Sequence, residues 1–281
     1  MKFGLWTANG ALNSKPVFTA FAKGIEKLGY QYVINKPSDI EVIWSVLWNG
    51  RMQRNKIIWD RCQKEKKSII VLEVGCLYRG TTWKIGVNGV NSKAYFGPKG
   101  NDSKRATELK LYAKDRNLQD GDILYAGQHQ KSGQWMNENH ATSHLHTSIS
   151  EIRKYTGKKI IIRPHPRSKL KINLSQYANV ELQNPNKIIG TYDDFDMHFT
   201  NVSAVINWSS NPGVIASLAG IPVFVGPDSL AYNVSNTAWK NICNPIVFDR
   251  TQWLNDLAYT EWTIPEIETG FPLKRLTSGL I

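Results

Sequence analysis

The chain has 281 residues, 41% hydrophobic and 21% charged, with 35 Lys and Arg against 23 Asp and Glu and a formal net charge of +12. That length and composition suit a globular protein with room for two ordinary domains, and the chain has no internal repeat or low-complexity tract. Three scattered cysteines, Cys62, Cys76 and Cys243, argue against a disulfide framework. Phe3 to Trp6 is too short for a signal peptide, and Gly213 to Gly226 is too short to span a bilayer. A cytoplasmic protein without a membrane segment is therefore expected.

Lys2 to Trp6 reads as a first strand. A helix follows from about Pro16, with Phe18, Phe21, Ile25 and Leu28 at three- and four-residue spacing and Gly29 as its stop. Tyr30 to Ile34 and Val42 to Val46 are the next strands. The alternation of strands and helices predicts a mostly parallel sheet. The loop Leu47 to Lys56 places Trp48 beside Arg51, Arg54 and Lys56. An aromatic ring among cations can stack on a base, or fill the space of an extruded one, while the charges hold phosphates.

Ser68 to Leu72 is a further strand and ends at Glu73. A carboxylate there is the candidate general base, placed to take a proton from an acceptor hydroxyl across an interdomain cleft. Asp39 and Asp102 are weaker candidates because they sit in loop-like contexts. Arg79 and Lys84 continue the polar lining and complete the set of residues expected to touch a nucleic acid. Gly97 to Ser103 is the clearest break, a helix pattern runs on to about Arg116, and the domain boundary is placed near residue 118. The expected domains are therefore 1–118 and 119–281, with the tail from about Trp262 crossing back onto the first.

Asp122 to Gln128 reads as the first strand of the second domain, with Gln128 at its C-terminal edge. His140, His144 and His146 lack a clear fourth ligand, and no metal is expected. Lys159 to Arg163 is a strand ending in Pro164-His165-Pro166. Asp194-Phe195-Asp196 is read as a loop or cap. Ala204 to Trp208 is another strand, followed by Ser209-Ser210-Asn211-Pro212-Gly213 and a helix through Val214, Ile215 and Leu218 that stops at Gly220. Unpaired N–H groups and the positive dipole end of that helix favour a phosphate. Arg163 and His165 supply further donors at a neighbouring strand end.

The order Ile-Leu-Tyr-Ala-Gly-Gln (123 to 128), Arg-Pro-His-Pro (163 to 166), Asn-Trp-Ser-Ser-Asn-Pro-Gly (207 to 213) and Gly-Ile-Pro-Val-Phe-Val-Gly (220 to 226) resembles capsule-polysaccharide glycosyltransferases. The resemblance implies the two-domain α/β architecture called GT-B, two Rossmann-like domains facing across a cleft. It also implies a nucleotide-sugar co-substrate in the second domain, near Gln128, His165, Ser209, Ser210 and Asn211. Arg163, Gly213 and Asp228 complete the expected donor-binding set, and His165 is also placed in catalysis. The chain departs from the family pattern after Gly226, at Pro227 to Tyr232.

Charge directs the choice of acceptor. Residues 1–118 hold 21 Lys and Arg against 9 Asp and Glu, whereas 119–281 hold 14 against 14. A positive field on the acceptor half points to a polyanion. The expectation is transfer from a nucleotide sugar, UDP-linked, to a hydroxymethylated pyrimidine of double-stranded DNA. A small basic enzyme of this architecture resembles the phage transferases that modify 5-hydroxymethylcytosine, which would act in the host cytoplasm. The alternatives are a surface-polysaccharide glycosyltransferase and a DNA-binding protein with a degenerate fold.

Overall fold

The computed structural model describes residues 1–116, 120–135, 137, 139–168, 172–189 and 195–280. They form two compact α/β units, Met1–Leu111 with Thr251–Ile281 and Tyr112–Arg250. The boundary expected near residue 118 lies outside the described residues. The second unit ends at Arg250, and everything after it belongs to the first. Among the described residues no helix is long and apolar enough to cross a membrane.

The first unit begins β1 (Lys2–Leu5), α1 (Lys15–Lys27), β2 (Gln31–Ile34), β3 (Ile40–Trp44), α2 (Asn55–Glu65), β4 (Ile69–Val74), β5 (Thr82–Val87) and α3 (Lys104–Glu108). Its six-stranded sheet runs β11-β5-β4-β3-β1-β2, where β11 is Glu261–Thr263 from the chain's end. The strands β2, β1, β3 and β4 are parallel, whereas β5 is antiparallel to both β4 and β11.

The central strands are apolar on both faces because both faces are covered. Val42, Trp44, Ile70 and Leu72 face Phe18, Phe21 and Ile25 of α1, while Ile43, Ile69 and Val71 face Ile58 and Cys62 of α2. The four-residue spacing of Val17, Phe21 and Ile25 is what gives α1 this buried stripe.

Three expectations change here. The helix expected to reach Arg116 stops at Glu108, and Lys110 takes a left-handed φ of 52°. The segment read as a polar lining runs from the exposed Arg79 into the strand β5, where Lys84 and the other five residues are buried. The loop before α2 contains a short 3-10 turn, Gly50–Arg54.

The chain's last part supplies α6 (Thr251–Ala258), β11, α7 (Ile264–Glu268) and α8 (Phe271–Leu276). Arg105 of α3 fastens this segment. Its Nε donates to the Ala258 carbonyl and Nη2 to the Glu261 carbonyl, both at 2.7 Å. The same guanidinium pairs with both carboxylate oxygens of Glu266 and lies 3.8 Å above the Trp262 ring. Glu266 in turn closes a capping box with Thr263, which starts α7.

The second unit holds β6 (Asp122–Ala126), α4 (His140–Arg153), β7 (Ile160–Arg163), β8 (Val180–Leu182), β9 (Val202–Asn207), α5 (Asn211–Leu218) and β10 (Val223–Val225). The sheet is wholly parallel in the order β10-β9-β6-β7-β8. Counted within the unit this is the order 3-2-1-4-5, five strands of the Rossmann order, and it reverses direction between β6 and β9. Ile123, Tyr125, Ile160, Ile162 and Ile206 pack against Leu145, Ile149 and Ile152 of α4.

Replacing Arg105, which is 5% exposed, with leucine removes one partner of a buried ion pair and leaves Glu266 and two carbonyls without their donor. Urea denaturation of Arg105→Leu should show the first unit weakened by about 3–5 kcal/mol.

Candidate functional site

In an open parallel sheet, ligands collect outside the C-terminal strand ends where the order reverses. In the second unit that place lies beyond β6 and β9, and two side-chain amides stitch it together. Gln128 Oε1 accepts the N–H and the hydroxyl of Ser209, each at 3.1 Å, while Gln128 Nε2 donates to Ser132 Oγ at 3.0 Å and Gln134 Oε1 at 3.1 Å. Asn207 Nδ2 donates to the Ala126 carbonyl and to Ser210 Oγ, both at 2.8 Å. Two residues expected from sequence, Gln128 and Ser209, are thus in direct contact. Both are buried and spend their polar atoms on each other and on Gln134.

Other groups stand at the same edge. Ser210 Oγ receives Asn207 and so keeps its own proton for a further acceptor. It sits at the N-cap of α5 with extended backbone, and Asn211 and Pro212 begin the helix. Gly213 lies inside the first turn, where a Cβ would come 2.8 Å from Val225. His165 follows β7, and its Nδ1 accepts the N–H of Arg167 at 3.1 Å, which places the hydrogen of the neutral ring on Nε2.

Arg163 is committed elsewhere. Its Nε and Nη2 donate to Gln183 Oε1 at 3.1 and 2.5 Å and its Nη1 to the His198 carbonyl at 3.2 Å, so a diphosphate contact requires exchanging these bonds. Asp228 lies in the turn after β10 that Ser229 N–H closes onto the Gly226 carbonyl at 3.0 Å. Asp194 lies outside the described residues.

Several residues at this edge escaped the sequence reading. His129 follows Gln128 and is buried, its ring edge-on to His165 with centroids 5.0 Å apart. Trp135 stacks on Trp208 at 5.8 Å and 22°. The histidines weighed as metal ligands pack here instead: His140 and His144 stand edge-on to Trp208 at 4.4 and 5.4 Å, and His146 bonds the Tyr177 hydroxyl. Among the described residues no three His, Cys, Asp or Glu side chains converge as a metal site.

In the first unit, Glu73 lies within β4, partly exposed at its C-terminal end. Ser45 Oγ donates to Glu73 Oε2 at 2.5 Å and the Val74 N–H to Oε1 at 2.8 Å, so the carboxylate is held in one orientation. Ser45 itself has a left-handed φ of 65° and its hydroxyl accepts the Leu47 N–H at 3.0 Å. Asp39 accepts the Lys2 N–H and Asp102 the Lys104 N–H, so each does local backbone work.

The residues expected to contact DNA differ in their surroundings. Lys84 is 3% exposed and stands opposite Glu73 on one side and Glu261 on the other in the strand register, so it is part of the sheet's interior. Trp48 packs on Trp59 at 6.0 Å within the cluster over α2, not as a protruding wedge. Lys56 pairs with Asp60 at 2.6 Å. Arg51 and Arg54 are exposed on the 3-10 turn, and Arg79 is exposed before β5.

No family model and no curated protein sequence matches this chain. Solved structures do. The Thermosulfurimonas dismutans KpsC beta Kdo 2,7 transferase aligns with a TM-score of 0.51 at 13% identity, over 98% of this chain and 100% of that one. The beta Kdo 2,4 transferase of KpsC from the same organism aligns with a TM-score of 0.50 at 11% identity, over 95% and 97%. This chain shares their fold along nearly its whole length.

The aromatic wall makes stability depend on pH. Burial, and to a lesser extent His140, pushes His144 down to about 4 from an ordinary 6.5. Between those values the unfolded chain binds a proton that the folded chain refuses. Stability is therefore full above about pH 6.5 and falls as the pH drops towards 4, by up to about 3 kcal/mol. Urea melts at pH 7 and pH 5 should show this loss, and a His144→Gln variant should show a flatter dependence.

Proposed function

We propose that the protein is a glycosyltransferase that carries a sugar from a nucleotide-sugar donor to a hydroxyl of an acidic surface polysaccharide. The observation that carries the reading is the Rossmann-order sheet. Its switch point gathers Gln128, Ser209, Ser210 and the start of α5, in a chain that follows the fold of two KpsC Kdo transferase structures over nearly its whole length. The donor's phosphate would be met by the Ser210 hydroxyl, the positive dipole end of α5 and the His165 imidazole. The GT-B reading of the two units belongs to the same proposal, with UDP as the expected nucleotide.

Charge suits an acidic polysaccharide as well as it suits DNA. The first unit holds 21 Lys and Arg against 12 Asp and Glu, and the second 14 against 11, so nine of the twelve surplus charges lie in the first. Kdo is an acidic sugar, and a polymer containing it is a polyanion. Trp48, which was to stack on a base, is half-covered and packs on Trp59, and Lys84 of the expected polar lining is buried, so the DNA reading keeps the exposed Arg51, Arg54 and Arg79 but little beyond charge. Glu73 takes the role of base: its carboxylate is partly exposed and oriented by Ser45 and Val74, ready to accept the proton of an attacking hydroxyl.

The test is a panel of UDP-, GDP- and CMP-linked sugars, Kdo among them. Each is offered with capsule-type oligosaccharides and, separately, with DNA containing hydroxymethylcytosine, and products are weighed by mass spectrometry. A mass gain on the oligosaccharide is expected; a gain confined to DNA would overturn the choice of acceptor. Glu73→Ala should lower turnover by roughly 10²–10⁴-fold while leaving donor affinity unchanged.

A further inference from the structure

The loops after β6 and β7 repeat one local construction. His129 Nδ1 accepts the N–H of Lys131 at 3.1 Å, and His165 Nδ1 accepts the N–H of Arg167 at the same distance. A ring nitrogen that accepts does not carry the proton, so each neutral imidazole bears its hydrogen on Nε2. The two loops are joined side by side. Gly127 N–H bonds the Arg163 carbonyl at 2.8 Å, Gln130 N–H reaches Ser168 Oγ at 3.2 Å, and the two imidazoles meet edge to face at 5.0 Å.

His129 is the unusual member. It is 6% exposed, yet among the described residues its Nε2–H donates to nothing. A donor so placed is open to an acceptor from outside the chain. The local charge selects what comes. Burial first, and then the nearby Arg167 and Lys131, make His129 harder to protonate, so cations surround a ring that presents a neutral N–H. An anion is the matching occupant: it accepts the hydrogen bond and offsets the repulsion between the cations.

We propose that His129 and His165 form a paired-imidazole clamp for a phosphate group, with Lys131 and Arg167 supplying the positive charge around it. The clamp rests on the donor reading above, since the phosphate in question is that of the nucleotide sugar. It adds to that reading a residue, His129, whose neighbour Gln128 is fully occupied in holding the strand ends together.

Two substitutions separate holding the loop from holding the ligand. An asparagine at 129 can still accept the Lys131 N–H from the position of Nδ1, as in an Asx turn, but lacks the distal donor. A glutamine places its amide N–H close to the position of Nε2 and gives up the turn. Isothermal titration of the full chain with UDP, CMP and inorganic pyrophosphate should show His129→Asn weakened by about tenfold or more, the loss of one charge-assisted bond. His129→Gln should stay within about threefold of wild type, and the thermal midpoint of His129→Asn should be unchanged. Equal binding by wild type and His129→Asn, with Ser210→Ala still weakened, overturns the clamp and leaves the donor reading standing. A glutamine variant as weak as the asparagine one makes His129 a loop-shaping residue and also overturns it. Binding of pyrophosphate without either nucleotide keeps the phosphate clamp and removes UDP and CMP as the donor's nucleotide. Binding of none of the three removes both.

Discussion

Beyond Tyr125 and Ile206 the two central strands of the second sheet no longer share a backbone ladder, and side-chain amides take over the pairing. This constraint shapes the rest of the site. Where a parallel sheet reverses its order, the strand ends diverge, and their N–H and C=O groups lose sheet partners just where a ligand needs room. Gln128 replaces part of the ladder from one side and Asn207 from the other. Each bonds across the gap, so the gap stays open at a fixed width. The cost is visible at Asn207, whose Oδ1 is buried without a hydrogen-bond partner among the described residues.

Rigidity at the edge comes from rings as well as amides. Trp208 fits against the chain because residue 226 is glycine: a Cβ there would lie 2.3 Å from Trp208 Cε3. The indole then receives Trp135 on one face, and its Nε1 bonds the Gln134 carbonyl at 3.0 Å. Trp135 Nε1 closes back onto the His129 carbonyl at 2.9 Å. The loop that presents His129 is therefore braced from below by an aromatic stack and from the side by the β7 loop. Donors held this way lose little freedom when a ligand arrives, which is how a few hydrogen bonds give useful affinity.

Much of this was legible in the sequence, for identifiable reasons. The strands that carry the site are short apolar runs closed by polar residues, and α5 has proline in its first turn and Gly220, with φ of 81°, at its end. Gln128, Ser209 and Ser210 follow directly from those boundaries. What stayed hidden depends on partners distant in sequence. Lys84 and Arg79 look alike as isolated cations. Only the antiparallel pairing of β5 with β4 and β11 puts the first between two glutamates and leaves the second exposed. Trp48 reads as a wedge until α2 brings Trp59 beneath it. His129 offered one signal, its two-residue spacing to a cation, repeated at His165 and Arg167.

The fate of these side chains also limits what charge can say about the acceptor. A surplus of cations attracts any polyanion, and the attraction fades beyond a screening length of about 8 Å at physiological salt. It gives encounter rate and loose affinity, not identity. Identity has to come from groups that fit one polymer and not another. For a nucleic acid those are exposed flat rings that stack on bases, and for a polysaccharide they are fixed polar groups that sort hydroxyls and carboxylates. Of the first unit's seven tryptophans, Trp44, Trp83 and Trp262 are core, and Trp6, Trp48, Trp59 and Trp253 are partly covered, none of them fully exposed. At the end of β4 it presents an oriented carboxylate held by a serine instead. A surface of that kind is suited to choosing among hydroxyl groups, which is the task a sugar polymer sets.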